Sequence, residues 1–144
     1  MRALRFILCV LCVLVLVGQF LLTPTWKFIS FYTNWFLMIT TGYTMFAVYL
    51  QDITTGERSI EMLALHHLLQ ELTLWGQVLC TLVWWLMIYK VAKAHPDYQN
   101  PWRFRFAMCV HSVPLMIVAV LFLASPMQFV DSHAWYHALI LWVF

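Results

Sequence analysis

The sequence predicts an all-α, polytopic transmembrane helical bundle with four full spans and a C-terminal half-span or interfacial helix. Three observations predict it. Hydrophobic residues make up 64% of the 144 and charged residues 10%, where a soluble domain carries roughly 25% charged residues. The apolar residues come in long blocks, near the ~20 residues that a helix needs to cross a hydrocarbon core. In two of the blocks the polar residues fall on one helical face. Eight Lys/Arg and six Asp/Glu are too few to cover a water-facing globule, so lipid is the main solvent. The blocks use most of the length, which implies one transmembrane domain over residues 1–144.

The first span covers residues 6–22, after Arg2 and Arg5. A basic start before an apolar run is also a signal-peptide pattern. No small-x-small cleavage site follows, so the segment reads as a retained anchor. Thr23-Pro24-Thr25 is a turn, with Pro24 suited to open a helix. The second span covers residues 26–50. Ser30, Thr33, Asn34, Leu37, Thr41 and Thr44 share one stripe of it. A polar stripe on a membrane helix faces other helices or a water-filled cavity.

Residues 51–61 form a polar loop with Gly56 as its turn and Ser59 as an N-cap for the next helix. That helix covers residues 60–93, longer than a bilayer requires, with residues 72–89 as its membrane part. His66, Gln70, Thr73, Gln77 and Thr81 form its inward stripe, and His67 and Glu71 make an i,i+4 pair beside it. Residues 90–105 form a basic, proline-containing loop. The fourth span covers residues 106–124 and holds His111, Ser112 and Pro114, and the partial fifth covers residues 134–144. The loop basic residues favour the second loop on the positive-inside face, with the N-terminus opposite.

The net charge of +2, with no Lys/Arg run and no Gly-rich loop, argues against nucleic acid and against a phosphate cradle. Cys9-x-x-Cys12 has redox spacing but no charge beside it to stabilise a thiolate. All four cysteines read as small apolar filler.

Three groups of residues go beyond lipid packing. His111 is an ionisable group within a membrane helix, which marks a functional position or an imidazole bonded to a neighbouring hydroxyl. Ser30 and Thr33 lie near the end of their span that shares a membrane face with His111, and a hydroxyl becomes a nucleophile when a base takes its proton. The bland reading of both is interhelical hydrogen bonding. His66 and His67, with Glu71, and the i,i+4 pair His133 and His137 are weak metal or haem candidates. Exposed interfacial histidines are the commoner case, and no cofactor or metal is expected. Trp26, Trp35, Trp102 and Trp135 suit the membrane interface, and Trp84 and Trp85 suit packing or a pocket wall.

Trp26-Lys27-Phe28-Ile29-Ser30-Phe31 resembles the opening of the second span in the androgen-induced membrane protein family. Tyr32-Thr33-Asn34-Trp35 resembles the related rolling-stone-like proteins. The likeness continues, as scattered short matches, through the long third helix and the charged proline loop to His111 and its following proline. It implies a six-span membrane hydrolase of branched fatty-acid esters of hydroxy fatty acids, with a threonine nucleophile and a histidine. By position the histidine is His111, and Ser30 stands where the family has threonine, with Thr33 one turn on. The family's last one or two spans have no counterpart here.

Three functions follow as expectations. The first is a structural or accessory subunit of a larger membrane-protein assembly, in contact with lipids and other subunits. It rests on the minimal loops, the polar stripes that need partners and the terminal half-span. The second is an intramembrane Ser/Thr–His hydrolase of fatty-acid esters, and the third a haem or quinone anchor. The compact loops and basic N-terminus are compatible with the mitochondrial inner membrane and with the endoplasmic reticulum.

Overall fold

The computed structural model describes residues 2–23, 31–53 and 59–124. These residues form four long helices, and no strand occurs among them. Helix α1 is Arg2–Leu22, α2 is Tyr32–Asp52, α3 is Ile60–Ala94 and α4 is Pro101–Leu123. A single 3₁₀ turn, Pro96–Tyr98, joins α3 to α4. The terminal half-span expected at residues 134–144 lies outside the described residues.

Local sequence explains the helix ends. The Ser59 hydroxyl accepts the Met62 N–H at 3.2 Å and starts α3 as expected. The start of α4 differs from expectation. Asn100 accepts the Trp102 N–H at 3.0 Å, and Pro101 opens the helix. Proline lacks only an N–H that would be unpaired in a first turn, so here it starts a helix instead of breaking one. Arg103 and Arg105 therefore lie on α4, and Lys90 and Lys93 on α3, and the basic loop is shorter than expected. Helix α3 contains one π-helical stretch, Trp84–Ile88.

The helices form a ring in which each packs on the next, α4 closes on α1, and α2 also reaches α4 across the centre. Leu8 and Cys12 of α1, Leu37, Tyr43 and Ala47 of α2, and Val110, Ile117 and Leu121 of α4 form the shared core. The outward faces are apolar: Phe6, Leu21, Leu86, Met87, Met116 and Leu123 are all exposed, as suits lipid contact.

Three helices, α1, α3 and α4, are long and apolar enough to cross a membrane. Helix α2 has 21 residues but falls short in apolarity. Its polar residues are the reason, and they are buried: Asn34, Thr40, Thr41 and Thr44 are each under 5% exposed. The least apolar helix is thus sheltered from lipid by its neighbours. Gln19 Nε2 of α1 donates to Asn34 Oδ1 at 3.2 Å, and Cys12 lies 3.4 Å from the Thr41 hydroxyl. From α3, Gln77 Nε2 reaches both Thr40 Oγ1 at 2.8 Å and the Phe36 carbonyl at 3.2 Å. The α3 stripe thus meets α2 through Gln77, at Thr40 and Phe36 beside the stripe expected on α2, while Asn34 and Thr41 of that stripe bond to α1.

Candidate functional site

At one end of the bundle all four helices surround a cavity of about 640 Å³. Gln19 and Leu22 come from the end of α1, Thr33 and Asn34 from the start of α2. Trp84, Ile88, Val91 and Ala92 come from the last turns of α3, and Phe106, Val110 and His111 from α4. His95, Tyr98 and Arg103 complete the wall from the α3–α4 connection and the first turn of α4. The alternating direction of the helices puts these segments at one level. The wall is apolar for most of its extent, with a polar group of Thr33, Asn34 and His111 and an exposed cation, Arg103.

His111 is gripped from α3. Its ring lies on the Trp84 indole, centroids 4.0 Å apart and planes 9° from parallel. Its backbone carbonyl accepts the Thr81 hydroxyl at 2.5 Å, and the next residue's hydroxyl, Ser112 Oγ, accepts Trp85 Nε1 at 3.1 Å. Pro114 has no N–H to return to the carbonyl of Val110, which loosens the helix beside His111. Among the described residues, buried His111 Nδ1 has no hydrogen-bond partner, and neither has buried Trp84 Nε1. A neutral imidazole has one donor and one acceptor nitrogen, so His111 retains capacity to bind or to take a proton.

Of the residues singled out in the sequence, the cavity unites Thr33 and His111. Ser30 lies outside the described residues, as do His133 and His137. His66 and His67 sit far along α3 from the cavity. His66 is buried against the rings of Tyr43 and Phe46, and His67 Nε2 is 3.0 Å from Glu71 Oε1. Among the described residues no cluster of three or more His, Cys, Asp or Glu could hold a metal.

The pattern of residues left some of this wall unread. Trp84, expected in packing or a pocket wall, follows Thr81 by three positions and continues the inward stripe of α3. The approach of His95, Tyr98 and Arg103 depends on the early start of α4. Compared with protein-family models, with curated proteins and with solved structures, the chain has no match in any of the three. The likeness to the androgen-induced proteins therefore rests on the short motifs quoted above.

Proposed function

We propose that this membrane-embedded bundle is a hydrolase of fatty-acid esters, with Ser30 or Thr33 as nucleophile and His111 as general base. One observation carries the reading: Thr33 and His111 line the same cavity, and His111 offers an unpartnered nitrogen. In this reaction the hydroxyl oxygen attacks the ester carbonyl carbon while the imidazole takes its proton. The imidazolium then protonates the departing alkoxide, and water cleaves the acyl-enzyme by the same route. Leu22, Ile88, Val91, Phe106 and Val110 give the acyl chain an apolar wall. No hydrogen bond joins Thr33 to His111, and catalytic hydrogen bonds often close only around substrate.

The accessory-subunit expectation stands beside it as the second reading. The polar stripes find partners inside the chain at Gln19–Asn34 and Gln77–Thr40, while among the described residues the buried Gln70 has none for either amide atom. Of the histidines named for the haem or quinone expectation, His133 and His137 lie outside the described residues, and His66 and His67 sit away from the cavity.

Purified protein in mild detergent should cleave a long-chain fatty-acid ester. His111→Ala should lower the rate by about 10²-fold or more, the usual contribution of a positioned base. Ser30→Ala and Thr33→Ala, made separately, identify the nucleophile by which of them removes turnover. Full activity in all three variants would reject the site. A wild-type protein found only within a large multi-protein particle, with no turnover, would restore the subunit reading.

A further inference from the structure

We infer that Trp84 is a positioning residue for His111: the indole fixes the plane of the imidazole at the cavity wall. The inference rests on the hydrolase reading. The terminal torsion of a histidine is broad, so an imidazole at a cavity wall swings unless something holds it. Trp84 is 3% exposed and lies flat on the His111 ring at 4.0 Å. A ring stacked this way can turn within its own plane but cannot tip out of it. The Tyr98 ring meets the indole edge-on at 6.3 Å, so Trp84 is itself held from behind.

The rest of the grip comes from the same helix. Thr81, Trp84 and Trp85 are spaced i, i+3 and i+4, the spacing that puts three side chains on one face. They take the His111 carbonyl, the His111 ring and the Ser112 hydroxyl in turn. The π-helical stretch begins at Trp84. Such insertions shift the register of a helix face, and they recur at functional sites. Here the shift begins at the residue that carries the stacking ring. Trp84 acts through His111, so its effect belongs in the rate of the proton-transfer step and not in substrate binding.

The test uses the full chain in detergent. Trp84→Leu should lower kcat by roughly tenfold to a hundredfold, the cost of a misplaced reacting group, with KM little changed. Trp84→Phe keeps a flat face and should retain most of kcat. Thr81→Val, which removes only the hydroxyl, should lower kcat in the same direction by less. A second readout is independent of turnover. The carbon-bound ring proton of His111, identified by its loss in His111→Gln, should lie upfield under the indole ring current. It should move downfield in Trp84→Leu. An unshifted ring proton in the wild type, or a Trp84→Leu variant with full kcat, overturns the inference. A wild-type protein that cleaves no ester overturns the hydrolase reading alone, and the ring-proton shift still decides whether Trp84 holds His111.

Discussion

Gly76 leaves room for a ring. A Cβ at this position would overlap the Phe36 side chain, which is 1% exposed and has nowhere to go. Gly76→Ala should therefore force α2 from α3 and cost about 1–3 kcal/mol, the usual penalty of overpacking. Gly42 is the control within the same bundle. A Cβ there meets nothing within 4 Å, and Gly42→Ala should be neutral or stabilising by up to about 1 kcal/mol. Thermal unfolding of both variants in one detergent checks the pair; equal effects would count against the packing described. Neither outcome was legible in the sequence. A glycine in an apolar run reads the same whether it faces lipid or a phenyl ring, because spacing gives a face and not what lies opposite it. The pairing of Gln77 with Thr40 was hidden in the same way: Gln77 was assigned to an inward stripe and Thr40 was not.

Ends of helices were more legible than their partners, because caps are written in neighbouring residues. Ser59 was readable as an N-cap, and its hydroxyl also holds the Glu61 carboxyl below the usual carboxylate range, with the helix backbone assisting. A carboxyl with a depressed folded-state pKa stabilises the helix start above its ordinary pKa and ceases to do so as pH falls through the lowered value. Ser59→Ala should destabilise the first turns of α3 by about 1 kcal/mol. It should also weaken the acid dependence of amide exchange there. An unchanged exchange profile for the first turns would dismiss the cap. The start of α4 misled because Pro101 carries two meanings, breaker and opener, and only the Asn100 cap decides between them. The π-helical stretch Trp84–Ile88 left no sequence signal at all. It is a compromise of packing between α3 and α4, and no short pattern encodes it.

At the scale of the whole molecule, composition was decisive for fold class and silent on arrangement. The excess of apolar residues required a lipid-facing helical bundle, and the described residues form one. Hydropathy also suggested four full spans and a partial fifth, where among the described residues three helices meet the requirement and the fourth is more polar. The candidate site was half legible. His111 and Thr33 stood out because polar groups are scarce in such a chain, whereas the cavity that joins them needs four helices at one level. Helix α2 carries a consequence for how the protein is made. Of its buried polar residues, Thr41 and Thr44 donate to the carbonyls of Leu37 and Thr41 in the same helix, whereas Asn34 and Thr40 accept from Gln19 of α1 and Gln77 of α3. A segment leaving the translocation channel partitions by its own transfer free energy, and polar residues near its centre weigh against entry. Residues 32–52 placed alone in a host reporter should enter the bilayer poorly, while α4 alone enters well. Attached to the α1 or α3 sequence, the same residues should insert efficiently, as scored by a reporter glycosylation site. Helix α2 is then a membrane helix only beside a neighbour, and the site at its first turn exists only after its neighbours have closed around it.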